Sequence, residues 1–381
     1  MGGRSGRLAH VEIMTKASTV PDRHFWSGKK ILLTGHTGFK GAWMTMLLQS
    51  LGARVAGVSL EAEKPSLFEQ AGLARRMAAH HVADLRDMTQ IRAIVDAEQP
   101  EIVIHLAAQS LVRFAYQFPT VTFDTNVMGT VNLFEALRGQ NSLHAILTTT
   151  TDKVYYNQDL GRQFIESDRL GGNDPYSASK AATEAVIAAY RASYQQPKGV
   201  ISLVARAGNI VGGGDWAQDR LIPDAVRAAY SHTPLSVRSP SSTRPWQFVL
   251  DALFGYLMLV EFGTRQKQAF TDPNEAAYNF GPLPDQPSAA VSEVCNWIAA
   301  IWPERFSWTV VAADGAMKES KLLELDSRKA ASVLGWQPRM SSREAVAESI
   351  SWYKAFHAGS DPFELCQQQI EHRFAPLRPS I

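Results

Sequence analysis

Ile31-Leu32-Leu33-Thr34-Gly35-His36-Thr37-Gly38-Phe39-Lys40-Gly41 joins an apolar run to three glycines spaced three apart. The apolar run reads as a buried strand, and the stretch from about Ala42 to Leu51 as the helix that follows it. Glycines between the two let the backbone turn tightly and come close to a ligand. A helix start leaves its first N–H groups unpaired, and the helix dipole favours negative charge there. Strand, glycine turn and helix start in this order predict a pyrophosphate cradle, and hence a dinucleotide cofactor. A glycine pattern alone is weak, because loops are often glycine-rich. Its place between strand and helix carries the reading.

Working outward, further short apolar runs alternate with helix-like stretches. Val55–Val58, Ile102–Leu106 (preceded by Pro100), Ala145–Thr148 and Val200–Ala205 read as strands. Continuous apolar strands without strict alternation suit a parallel sheet covered on both faces. The alternation predicts an α/β fold, a Rossmann-like doubly wound parallel sheet with right-handed crossovers. After about Ala205 the rhythm breaks at Gly212-Gly213-Gly214 and at scattered prolines. Trp246, Trp297, Trp302, Trp308, Trp336 and Trp352 follow among short elements, which predicts a smaller mixed α/β lobe on the carboxyl edge of the sheet. The expected organisation is an extension at 1–24, a cofactor domain at 25–205, a substrate lobe at 206–361 with some chain returning to the core, and a peripheral helix and tail at 362–381.

The chain has 381 residues, 45% of them hydrophobic and 20% charged, which is ordinary for a globular protein. A formal net charge of +1 suggests neither a nucleic-acid surface nor a membrane patch. No apolar run approaches the roughly 20 residues that span a bilayer. The leader carries Arg4, Arg7 and Lys16 without the apolar stretch of an export signal, so the extension is expected to be loosely ordered and the protein cytoplasmic. Met14 is an alternative start. Cys295 and Cys366 make no disulfide framework and no metal spacing, and read as inert thiols. His80-His81 lacks companion ligands, so no metal is expected. His105, inside an apolar strand, reads as a core histidine.

Two short segments carry the chemistry. In Tyr176-Ser-Ala-Ser-Lys180 the tyrosine and lysine are four apart, so on a helix they share a face. The lysine charge, with that of an oxidised nicotinamide, is expected to lower the tyrosine pKa, and a tyrosinate can take a hydroxyl proton while hydride leaves the carbon. Thr148-Thr-Thr-Thr151-Asp152-Lys153 ends a strand at the sheet's carboxyl edge, where open α/β folds bind ligands. Thr151 can hydrogen-bond a substrate hydroxyl, Asp152 can donate a proton to a departing hydroxyl, and Lys153 can take a proton beside a ketone if part of it is neutral. The bland reading, a solvated Asp-Lys pair after a strand, loses ground beside Tyr176 and Lys180. The second strand ends near Ser59 with no acid at the usual ribose position, Glu61 and Glu63 coming later. No arginine follows to claim a 2′-phosphate, so NAD is favoured over NADP.

The G-x-x-G-x-x-G spacing resembles the extended short-chain dehydrogenase/reductases. With Thr151-Asp152-Lys153, Gly212-Gly213-Gly214-Asp215-Trp216 and Arg244-Pro-Trp-Gln247, the chain from about Trp26 to Tyr353 resembles the sugar-nucleotide 4,6-dehydratases. Most members carry glutamate where Lys153 stands, and the lysine form resembles the branch acting on CDP-glucose. The resemblance implies an internal redox cycle on a retained NAD, with C4 oxidation, elimination of water across C5–C6 and hydride return to C6, in deoxysugar biosynthesis. It places Gly35, Thr37, Gly38, Phe39, Gly41, Ser59, Asp84, Leu85, Leu106, Ala107, Ala108, Asn126, Thr149, Tyr176 and Lys180 around the cofactor. It places Gln109, Arg113, Asn209, Trp216, Arg220, Arg244 and Gln247 around the substrate, with Trp246 as readily core. Departures are Phe248 for a usual histidine, Ser110 for proline and Val154 for cysteine.

Relatives in this family pair through two helices, here about Pro119–Leu137 and Tyr176–Tyr194, so a homodimer is expected, with a tetramer possible. Val121, Val131, Leu133, Val186 and Ile187 are candidates for that interface or for the sheet side. Two alternatives stay open: an epimerase or a dehydratase for another nucleotide sugar, and a non-catalytic cofactor sensor, which would tend to lose Tyr176 or Lys180.

Overall fold

The computed structural model describes residues 19–157, 161–266, 270, 272–282, 288–312 and 323–375. Seven strands form one sheet: β1 (Lys30–Thr34), β2 (Arg54–Ser59), β3 (Ala79–Val82), β4 (Ile102–His105), β5 (Ala145–Thr149), β6 (Ile201–Ala207) and β7 (Ala277–Phe280). Their spatial order is β7-β6-β5-β4-β1-β2-β3, and every pairing is parallel. The strand order reverses between β1 and β4, where doubly wound sheets open a crevice at their carboxyl ends. Register across the middle sets Thr34 beside His105 and His105 beside Thr148.

Both sheet faces are buried along the middle strands, which explains why those strands read as unbroken apolar runs. Ile31, Leu33, Ile104, Leu147 and Leu203 point into one core with Trp43, Phe248 and Trp352. Leu32, Val103, Ile146 and Val204 point the other way, into a second core with Leu133, Phe134 and Ile187. The helices that matter below are α1 (Phe39–Ser50), α2 (Met88–Glu98), α3 (Gly129–Leu137), α4 (Pro175–Tyr190) and α5 (Val249–Gln266). A short helix, Pro119–Phe123, and a π-turn, Asp124–Met128, lead into α3.

After β6 the chain leaves the sheet for a lobe of helices and three two-stranded pairs. It returns twice, as α5 packed against β5 and β6, and as β7 closing the sheet edge. Two expectations about the ends are corrected. Of the expected extension, the described residues 19–24 are tied down at Asp22, whose backbone donates to Glu261 at 2.9 Å beside the Trp26 indole, which donates to the same carboxylate at 2.6 Å; residues 1–18, Met14 among them, lie outside the described residues. The helix Pro362–Phe374 is not peripheral, because Cys366 and Ile370 are fully buried and Arg373 pairs with buried Asp251. Both cysteines are buried and unbridged, and burial pushes both thiols up. Among the described residues no helix is long and apolar enough to cross a membrane, and no group of three or more His, Cys, Asp or Glu is arranged to hold a metal.

Candidate active site

The glycine turn closes on β4 and on the start of α1. Gly35 has φ +75°, and a Cβ there would stand 2.7 Å from the Ala107 nitrogen. At Gly41 a Cβ would stand 2.1 Å from the Gly35 carbonyl, so only glycine lets α1 begin this close to the turn. The Thr37 hydroxyl meets the Ser59 hydroxyl at 2.7 Å and the Leu60 carbonyl at 3.1 Å, tying the turn to the end of β2. Ala107 donates to the Thr34 hydroxyl at 3.1 Å, which places Leu106-Ala107-Ala108 along the opposite wall. Leu85 is buried, while the Asp84 carboxylate is paired with Arg86 at 2.5 Å, which holds its pKa below the usual range. The arrangement fits a dinucleotide: a helix N-terminus facing a turn that no side chain can fill.

His105 is a core histidine, bonded to the Thr34 and Thr130 hydroxyls at 2.7 and 3.1 Å, and burial pulls its pKa down to about 3. Asn126 sits on the π-turn. It accepts from the Gln109 backbone at 2.8 Å and donates to the Ser179 hydroxyl at 2.8 Å, joining the segment after β4 to α4. The Gln109 side chain is spent locally on Leu111 and Thr122, so the structure does not aim it at a substrate.

Asp174 caps α4 by accepting from the Ser177 nitrogen at 3.0 Å, with Pro175 in the first turn. That start sets Tyr176 and Lys180 on the buried stripe facing the end of β5. Lys180 donates to the Thr149 carbonyl at 2.9 Å. Its pKa falls to about 7, through burial and then the nearby Lys40 charge, with Glu184 opposing. Tyr176 differs from expectation: burial pushes its phenol up to about 12, a hydrogen bond with Thr151 opposes this, and Lys180 is not among the groups acting on it. The strand end turns into a short 3-10 segment at Asp152–Val154. Asp152 is fully buried; its Oδ1 accepts from the Thr151 hydroxyl at 2.9 Å and from Lys153 Nζ at 3.3 Å.

Of the expected substrate contacts, Arg220 reaches this centre. It pairs with Asp215 at 3.1 Å and its charge acts on Tyr176 and Lys40. Arg113 pairs with Asp219 at 3.1 Å. Gln247 is 3% exposed, with neither amide atom bonded to protein, and its backbone donates to the Asn209 carbonyl at 2.9 Å. Arg244 donates to the Thr243 carbonyl at 2.7 Å on the short strand beside Ala289-Ala290. Trp216 is a brace: its indole donates to Gln70 at 2.9 Å and its ring packs on Tyr353 and Phe356. Trp246 is core, donating to the Ala289 carbonyl at 3.2 Å. Phe248, the departure from histidine, is fully buried against Trp43 and under the Arg373 guanidinium.

A match to the GDP-mannose 4,6 dehydratase family model runs from residue 32 to residue 349, from within β1 into the lobe's last helix but one. The chain belongs to this family of 4,6-dehydratases. Within the family it is 38% identical, over 92% of its own length and 97% of the relative's, to the CDP-glucose 4,6-dehydratase of Salmonella typhimurium. The dTDP-glucose 4,6-dehydratase of the same organism is 25% identical over 86% of this chain and 93% of its own. Among solved structures, a UDP-glucose-4-epimerase from Stenotrophomonas maltophila with bound NAD superposes with a TM-score of 0.74 at 20% identity, covering 87% of this chain and all of that one. The dTDP-glucose 4,6-dehydratase from Bacillus anthracis in complex with NAD gives 0.69 at 20% identity, over 88% of this chain and 99% of that one. These two likenesses show the shared fold.

Three groups of this dehydratase-family site were not singled out from sequence. Lys40, inside the glycine turn, is pulled to about 8 by burial and by Arg220, with Asp152 and Asp215 opposing. Tyr256 on α5 is fully buried and lies within the fields of Tyr176 and Asp152. Glu184 continues the Tyr176–Lys180 stripe by one more turn. That last residue had a signal, the repeated spacing of four.

Proposed function

We propose that the protein converts CDP-glucose to CDP-4-dehydro-6-deoxyglucose and water, using NAD that is regenerated in each cycle. The observation that carries this reading is the meeting of Thr151-Asp152-Lys153 with the Tyr176–Lys180 face beside a dinucleotide cradle. A dehydrogenase or an epimerase needs the tyrosine–lysine couple alone. A second acid–base pair on the strand end is what an elimination adds. NAD, when bound, supplies the hydride acceptor at the start and the donor at the end. Gly35, Gly38 and Gly41, with the first turn of α1, would hold its pyrophosphate. Thr37, Ser59, Asp84, Leu85, Leu106, Ala107, Ala108 and Asn126 would line the rest of the cradle.

Tyr176 takes the C4 hydroxyl proton, with Thr151 orienting that hydroxyl, the Arg220 charge favouring the tyrosinate and Lys180 holding the strand end through the Thr149 carbonyl. The C4 ketone acidifies the proton on C5. Lys153 removes it, and Asp152 protonates the C6 hydroxyl as water leaves. Lys153 then returns its proton to C5 as C6 is reduced, the C4 ketone is retained in the product, and the proton that Tyr176 took replaces, by way of solvent, the one Asp152 gave to the leaving water. Arg220 and Arg244 suit the diphosphate as guanidinium forks, and the unspent amide of Gln247 suits a neutral polar group of the substrate. The lysine at position 153, shared with the CDP-glucose branch, favours CDP over dTDP or GDP sugars.

We further propose a homodimer through the outer face of the helices at 119–137 and 175–195. Phe118, Phe123, Met128 and Tyr194 stand 38 to 49% exposed there, while Leu133 and Ile187 are turned to the sheet.

The deciding experiment incubates the purified protein with CDP-, dTDP-, UDP- and GDP-linked hexoses, with and without added NAD, and assays a 4-keto-6-deoxy product. Conversion of CDP-glucose alone is expected. Conversion of a different nucleotide sugar reassigns the substrate, and no product from any of them with NAD present overturns the dehydratase reading.

A further inference from the structure

One buried ion pair beside the site takes no part in the steps above. Glu184 on α4 and Arg206 on β6 are 7% and 1% exposed. Arg206 donates to the Glu184 carboxylate through Nε at 2.9 Å and Nη2 at 2.5 Å. Its remaining arm donates to the Tyr155 hydroxyl at 2.8 Å and to the Glu166 carbonyl at 3.0 Å. Desolvating such a pair costs so much that apolar replacements are often no less stable. Stability alone therefore does not account for it.

What Glu184 does becomes visible along the helix. Tyr176, Lys180 and Glu184 are spaced by four and form one stripe. Opposite them runs the end of β5. Lys180 donates to the Thr149 carbonyl at 2.9 Å. Glu184 accepts from the Thr150 hydroxyl at 2.7 Å. The Thr151 side chain acts on the Tyr176 phenol and favours its ionised form. Two consecutive strand-end residues are thus gripped by two residues of one helix stripe, the third works on Tyr176 of the same stripe, and Asp152 and Lys153 follow directly.

We propose that Glu184, anchored by Arg206, is a positioning residue that holds the β5 end, and Asp152 with it, in register with Tyr176 and Lys180. The proposal rests on the dehydratase reading. That reaction works successively on C4, C5 and C6 of one bound sugar, with oxidation groups on a helix and elimination groups on a strand end. A displacement of about 1 Å between the two sets is enough to cost about 100-fold in rate. The Thr150 bond is the link in the grip that involves no group touching the substrate.

Thr150→Val tests it, because it removes that link and leaves the Glu184–Arg206 pair intact, whereas Glu184 variants would leave Arg206 buried without its partner charge. The expected result is a kcat for CDP-glucose dehydration lowered about 10- to 100-fold with KM near wild type. Thr150→Ser keeps the hydroxyl and is expected to restore kcat to within about threefold. A purely structural role for Thr150 would shift the melting temperature and leave kcat alone. An active wild type beside a Thr150→Val variant of equal kcat overturns the brace and leaves the dehydratase reading intact. So does a loss that Thr150→Ser fails to restore. A wild type that converts no nucleotide sugar removes the dehydratase reading, and the brace falls with it.

Discussion

Lys153 stands at the surface end of the site, its side chain 30% exposed and paired with an Asp152 side chain that is 1% exposed. This asymmetry suits a division of labour: the lysine reaches out to the sugar, and the aspartate works from behind it. Lys153→Met is expected to bind both ligands and to permit C4 oxidation, seen as substrate-dependent NADH absorbance. Product formation should fall by about 10²- to 10⁴-fold, the range for losing a general base. Turnover at the wild-type rate would take Lys153 out of the reaction. Two buried histidines make a second prediction at this scale. Burial holds His105 near 3, and holds His36 near 4 with help from the His80 charge. An unfolded histidine binds its proton near pH 6.5, so below that pH the unfolded chain takes up protons that the folded chain refuses. Their contribution is complete above pH 6.5 and is lost progressively as pH falls through about 4 toward 3. Stability measured by denaturant titration should drop by about 1.4 kcal/mol per pH unit for each histidine across that window. A flat profile between pH 6.5 and 4 would show that the histidines are not held neutral.

At the scale of elements, the segment after β4 is fastened to α4 by one side chain on a π-turn. Asn126→Ala leaves the Gln109 backbone and the Ser179 hydroxyl each short of a bond, and is expected to cost about 1–3 kcal/mol in thermal or denaturant unfolding. A loss of less than about 0.5 kcal/mol would mean water replaces the amide without penalty. This scale also shows what could be read from the chain. Five of the seven sheet strands, the cradle and the Tyr176–Lys180 stripe were legible because each is a local pattern: an apolar run, a glycine spacing, an interval of four; Ala79–Val82 and Ala277–Phe280 escaped because neither is an apolar run. Glu184 and Lys40 were passed over because a lone charge on a helix ordinarily faces water. The charges that meet them, Arg206 beside Glu184 and Arg220 acting on Lys40, come from other elements of the chain. The direction of the Gln109 side chain was not legible either, since it turns back on Leu111 and Thr122. The lobe was the least legible, because its short strand pairs have no period long enough to see.

For the whole molecule, the exposed aromatic and methionine side chains beside α3 and α4 predict association. Sedimentation at micromolar concentration is expected to show a dimer, and Phe123→Glu combined with Met128→Glu to shift it to monomer. A wild type that sediments only as monomer would sink the interface. The sheet itself carries a further consequence. Its last strand, Ala277–Phe280, pairs with Ile201–Ala207 only after some seventy intervening residues have built the lobe. During synthesis, β6 must wait with one edge bare until that strand emerges, and bare edges recruit other chains. Lobe and sheet are therefore a single unit of inheritance. A substrate lobe grafted from a relative would have to bring its own closing strand, matched to the host's β6, or the recipient would aggregate before its pocket ever formed.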